Sequence, residues 1–84
     1  MLKVKICGIT NVPDALLASE AGADYLGLIF AKSARKVDVK RAQDILWNLP
    51  KGVQAVGVFM DQPLDEVRQI LDSTGLKIAQ LHGD

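Results

Sequence analysis

Several things are scarce in this chain. Cysteine occurs once, at position 7, so no internal disulfide can form, and a reducing compartment is expected. Aromatics number one Trp, one Tyr and two Phe, and no basic stripe runs among them. That argues against nucleic-acid binding. Neither sign of charge dominates, because Lys plus Arg total 10 and Asp plus Glu total 10. A strongly acidic or basic partner is therefore not indicated. No apolar run approaches the ~20 residues that span a bilayer. The first residues pass straight into strand-like sequence with no secretory pattern. The expectation is a cytoplasmic protein with no membrane and no nucleic-acid partner. Glycine-rich phosphate loops, GxGxxG, HExxH and CxxC are also missing.

What is present has a clear rhythm. The 84 residues are enough for one small domain, which buries only a little over ~60% of its unfolded surface. Apolar segments alternate between strand and helix patterns. A strand is predicted from about Lys3 to Cys7. A helix then starts near Asn11, a good N-cap, with Pro13 and Asp14 in its first turn. Ala15, Leu16, Leu17 and Ala18 form its apolar side, and Gly22 stops it. Tyr25–Phe30 is apolar throughout, as a strand buried on both faces should be. A second helix starts near Asp38, with Ala42, Ile45, Leu46 and Leu49 on one face. Trp47 lies off that face. Gln54–Phe59 reads as a third strand. Asp61 reads as the cap of a third helix, striped by Leu64, Val67, Ile70 and Leu71 and stopped by Gly75. A fourth strand covers Lys77–Leu81. The segments GADYLGL, GVQAVGV and GLKIAQL form a weak repeat, each a helix-stopping glycine leading into a strand.

Short strand–helix–strand connections imply parallel strands with right-handed crossovers. Laying each strand beside the last in one direction puts every helix on one side. Yet the second and third strands carry apolar residues at both parities: Leu26 and Leu28 against Ile29, and Val56 and Val58 against Ala55 and Phe59. Parallel sheets are found almost only with both faces covered. Either the winding reverses, as in a doubly wound sheet, or the sheet curls into a barrel. A complete (β/α)8 barrel needs roughly 200 residues or more. If the sheet curls, the expected fold is α/β, the N-terminal half of a parallel TIM barrel, about (β/α)4. Residues 1–84 then form one incomplete domain of four strands and three helices, with no second domain. Its first and fourth strands would be raw edges, which invite self-association or pairing with a missing C-terminal half.

In parallel α/β folds the chemistry sits at the C-terminal strand ends. Those ends carry Cys7, the loop with Arg35, Asp61, and then Gln80 and His82. Cys7 shares parity with Lys5, so both are expected on the interior face while Val4 and Ile6 meet the helices. A free cysteine is often only a small buried hydrophobe, and a thiol–imidazole pair with His82 would lack an orienting third group. Arg35, beside Lys32 and Lys36, suits either a solvated loop or a clamp for carboxylate or phosphate.

Taken in order, VKICGIT, PDAL, EAGADYLGLIF, SARKV, VGVFMDQP and QLHGD resemble the N-terminal half of the phosphoribosylanthranilate isomerase family. The resemblance covers essentially the whole chain. It implies an Amadori rearrangement of N-(5-phosphoribosyl)anthranilate to an aminoketose in tryptophan biosynthesis, without metal or organic cofactor. The substrate implied is thus a phosphorylated sugar joined to anthranilate. The resemblance makes Cys7 the catalytic general base. Arg35 would hold the anthranilate carboxylate, with Gln80 and His82 lining the pocket. The family's general acid and phosphate site belong to the second half of the barrel. The chain alone is therefore expected to be inactive. The alternative is a non-catalytic half-barrel fragment that self-associates.

Overall fold

Each element begins where a local signal leaves the chain little choice. A computed structural model describes residues 2–82, with His82 described by its backbone alone. The order is β1 (Lys5–Cys7), α1 (Val12–Glu20), β2 (Tyr25–Ile29), α2 (Val39–Trp47), β3 (Gln54–Met60), α3 (Leu64–Thr74) and β4 (Ile78–His82). The Asn11 side chain accepts the Asp14 N–H at 2.8 Å, and Asp38 accepts the Arg41 N–H at 2.8 Å. Both satisfy orphan amides of a first turn. Gly75, at φ +81°, ends α3 in the left-handed conformation.

Asp61 behaves differently from expectation. It does not cap α3, whose cap position is Pro63 with no side-chain bond. Instead Asp61 itself turns left-handed, at φ +58°. Among non-glycine residues Asp and Asn tolerate this conformation best, because a short polar side chain bonds locally.

The sheet has the order β1-β2-β3-β4, and all three pairings are parallel. Register aligns Cys7 with Gly27, Gly27 with Val56 and Val56 with Ile78. One face carries Leu26, Leu28, Ala55 and Phe59, which pack with Ala15, Ala18, Ala42, Ile45 and Val67 of the helices. Phe30 and Phe59 stack at 5.3 Å. The opposite face carries Lys5, Cys7, Tyr25, Gly27, Ile29, Val56, Val58 and Gln80, and no element of the described chain covers it. The sheet curls toward that open face. In a flat sheet β1 and β4 would lie about 14 Å apart, three strand spacings, with side chains standing parallel. Here Lys5 Nζ reaches across β2 and β3 to donate to Gln80 Oε1.

Two apolar stripes are narrower than the periodicity suggests. In α1 only Ala15 and Ala18 are buried, while Leu16 and Leu17 are 40% and 64% exposed. The small alanines let the helix sit close to the sheet, and the adjacent leucines then fall outside the contact. Leu64, the first residue of α3, is also exposed, whereas Val67 is buried and Ile70 and Leu71 pack on the core. Trp47 is exposed, in keeping with its place off the α2 stripe. No helix of the described residues is long and apolar enough to cross a membrane.

The core lies between sheet and helices, so truncation there should dominate stability. Leu26→Ala removes a fully buried side chain and should cost about 2–5 kcal/mol. Trp47→Ala should stay within about 0.5 kcal/mol. Urea unfolding followed by circular dichroism distinguishes the two.

Candidate functional site

The C-terminal end of the curled sheet gathers the polar groups, and two glycines make room for them. Cys7 ends β1 and is exposed on the open face. Its neighbour in register, Gly27, has no side chain. A Cβ at that position would stand 2.7 Å from Cys7 Sγ and 3.1 Å from Cys7 Cα. The thiol therefore lies over the bare backbone of β2. A glycine inside the apolar run YLGLI is the signal for such close approach, and sequence reasoning passed over it.

The chain then leaves the strand through Gly8, at φ +85°, and the amides of Gly8 and Ile9 both donate to the Gly27 carbonyl. Arg35 comes down onto this turn. Its Cδ occupies the space a Gly8 side chain would need, 2.8 Å from the ideal Cβ. Its Nη1 donates to the Gly8 carbonyl at 3.4 Å. Gly8 thus does two things that any side chain would prevent: it turns left-handed and it seats the arginine stem.

The loop carrying Arg35 is tied down along its length. The Arg35 N–H donates to Ser33 Oγ at 3.1 Å, and the Val37 N–H donates to the Ile29 carbonyl at 2.8 Å. From α2, Arg41 Nη1 donates to the Thr10 carbonyl at 3.0 Å, tying the loop after β1 to the next helix. Gln62 joins the ends of β2 and β3: its Nε2 donates to the Phe30 carbonyl at 3.0 Å, and its Oε1 accepts the Met60 N–H. Nothing in the pattern DQP marked Gln62 beforehand.

Gln80 sits on β4 on the same face as Cys7, half-buried, with its Oε1 bonded to Lys5. His82 stands two residues further along β4, opposite Met60 in register; its side chain lies outside the described residues. The structure thus brings Cys7 and Arg35 to one turn. It puts Gln80 across the concavity from Lys5, and the His82 backbone at the same strand end. A separate cleft of about 450 Å³ lies outside this mouth, between the beginnings of α2 and α3, with Phe30, Lys36, Met60, Gln62 and Glu66 among its walls. Another cavity, of about 350 Å³ and lined by Leu46, Leu49, Val53 and Leu76, lies at the opposite end of the sheet, far from these groups.

Sequential parallel strands, helices on one face only, and polar groups at the C-terminal strand ends of the other face define the class. This is half of a (β/α)8 barrel, with the groups where barrel enzymes keep their chemistry. The family model for N-(5'phosphoribosyl)anthranilate (PRA) isomerase matches residues 4–84, and the chain belongs to that family. The N-(5'-phosphoribosyl)anthranilate isomerase of Rubrobacter xylanophilus is 53% identical over 85 aligned positions, which take in all of this chain and 41% of the relative. The crystal structure of the phosphoribosyl anthranilate isomerase of Thermotoga maritima superposes with a TM-score of 0.95 at 41% identity. That match covers 100% of this chain and 42% of the other. A third, solved in complex with reduced 1-(o-carboxyphenylamino)-1-deoxyribulose 5-phosphate, matches with a TM-score of 0.94 at 41% identity, over 100% of this chain and 44% of the other. The chain thus spans about two fifths of the length of these relatives.

The contact between Gly27 and Cys7 gives a prediction whose sign is informative. In an ordinary strand position, Gly→Ala stabilises by roughly 0.4–1 kcal/mol through the unfolded chain. Gly27→Ala should instead destabilise, by about 1–3 kcal/mol, because Cys7 and its strand must shift. Urea midpoints of the two proteins settle the sign.

Proposed function

We propose that this chain is the N-terminal (β/α)4 half of a phosphoribosylanthranilate isomerase, an incomplete barrel domain that works when a C-terminal half completes it. The substrate is N-(5-phosphoribosyl)anthranilate and the reaction is an Amadori rearrangement. An acid protonates the ribose ring oxygen, and the C1′–O bond breaks as the anthranilate nitrogen forms a protonated imine. A base then takes the C2′ proton, and the C–H electron pair moves toward nitrogen to give an enolamine. Tautomerisation of the enol gives the aminoketose. No outside oxidant or reductant is required.

Cys7 is the base in this reading. It acts as the thiolate, the form of the thiol that accepts a proton. Arg35 binds the anthranilate carboxylate, for which a planar guanidinium is suited. Gln80 and His82 line the pocket. The observation that carries the proposal is the shared turn: Cys7 directly precedes Gly8, and Gly8 receives Arg35. A carboxylate held at Arg35 therefore keeps the attached sugar close to the thiol. The general acid and the phosphate site come from the second half of the barrel, and no residue of this chain takes either role. Losing an acid–base group costs roughly 10²–10⁴ in rate, and losing the phosphate anchor removes positioning energy.

The chain alone should show no measurable turnover. Joined to the part of the Thermotoga maritima isomerase beyond the region it matches, it should turn over. In that completed protein Cys7→Ser should lower kcat by about 10²–10⁴-fold with an unchanged urea midpoint. Arg35→Met should act mainly on KM, raising it roughly tenfold or more. An active isolated chain, or a Cys7→Ser protein with normal kcat, would overturn the proposal.

A second reading is favoured by the edge strands β1 and β4 and the uncovered face: a non-catalytic half-barrel that pairs with its own copy. Sedimentation of the isolated chain measures this directly.

A further inference from the structure

Among the described side chains, the open face of the sheet carries one formal charge. Of the strand residues aligned on it whose side chains are described, Lys5, Cys7, Tyr25, Gly27, Ile29, Gln54, Val56, Val58, Met60, Ile78 and Gln80, Lys5 alone is basic and none is acidic; His82 shares the face at the end of β4. The Lys5 ammonium donates to the amide oxygen of Gln80. Because an ammonium has donors and no acceptor, the amide must present its oxygen to it. A neutral carbonyl satisfies one of the three N–H groups and none of the charge. Asp24, just before β2, uses its Oδ2 to accept the Val4 N–H at 2.8 Å. While the face is open, Lys5 is exposed to water, and this arrangement costs little.

Closing the barrel changes that. Whatever covers the face removes water from Lys5, and an ammonium buried without a counter-charge is strongly disfavoured. We propose that the concave face is built for a half-barrel that brings an inward-facing carboxylate against Lys5, beside Gln80. The proposal rests on the half-barrel reading above and names what its missing half must carry. A second copy of this chain does not meet the requirement. It would enclose two lysines in one interior and supply no acid from its own strands.

The test uses the chain completed with the C-terminal part of the Thermotoga maritima isomerase, alongside the chain alone. In the completed protein Lys5→Met should lower the urea midpoint by about 1 M, because it strands the buried carboxylate. In the chain alone, where Lys5 is exposed, the midpoint should move by no more than about 0.3 M. Replacing each inward Asp or Glu of the added part by Asn or Gln, with Lys5 intact, should reveal one position of equal effect. Combining that change with Lys5→Met should recover much of the loss. This second series reads the pair even if Lys5→Met does not fold. A neutral or stabilising Lys5→Met in the completed protein overturns the inference. So does an acid series in which no position matters, or a stable dimer of the isolated chain that Lys5→Met does not tighten. Turnover separates this result from the isomerase reading. A completed protein that rearranges substrate yet ignores Lys5→Met loses only the ion pair. One that needs the pair but has no turnover loses only the activity.

Discussion

A parallel sheet needs cover on both faces, and in this chain the helices can reach only one. That constraint organises the rest. Strands laid down in the order β1-β2-β3-β4 with right-handed crossovers put α1, α2 and α3 on the same side. The helix-facing residues Leu26, Leu28 and Phe59 are accordingly buried to near completeness. The other side is left to curl, and the cross-sheet bond from Lys5 to Gln80 is the sign of it. The groups suited to chemistry lie on that second side, where a curled sheet would enclose a ligand.

At the mouth, backbone shape matters as much as side-chain identity. Gly8 and Gly27 lie on either side of Cys7, one in sequence and one in register. The first turns the chain away and seats Arg35; the second leaves room for the sulfur. The loop amides bonded to Ser33 and Ile29, and the contact from Arg41 to Thr10, hold these pieces in place. The likeness to solved barrels covers this chain throughout but only about two fifths of theirs.

Much of this was legible beforehand, and the failures are instructive. Caps at Asn11 and Asp38, glycine stops and the apolar strands are local features, and local rules found them within a residue or two. Parity correctly put Lys5 and Cys7 on one face, because a strand alternates whatever its surroundings. Parity also sent Ile6 to the helices, but Val4, expected beside it, precedes β1 and is exposed, and periodicity overstated helix burial. Leu16, Leu17 and Leu64 have the right composition for a core and lie at its margin. A helical stripe reports which way a helix can face, not how wide its contact is. Asp61 was misread because an acidic residue before a helix resembles a cap, whereas its left-handed backbone is set by the turn out of β3. Gln62 was missed because bridging two strand ends leaves no mark in sequence spacing.

The sequence by itself determined the elements, their parallel order, the face on which the thiol lies and the family to which the chain belongs. Each of these follows from near neighbours along the chain or from a pattern of residues in register. Only the tertiary structure decided that Arg35 rests on Gly8, that Gly27 yields to Cys7 and that Lys5 meets Gln80. Those contacts join residues separated by 20 to 75 positions, and they exist because curling the sheet brings distant strands to one concavity. Distances of that kind depend on curvature, which no local propensity encodes.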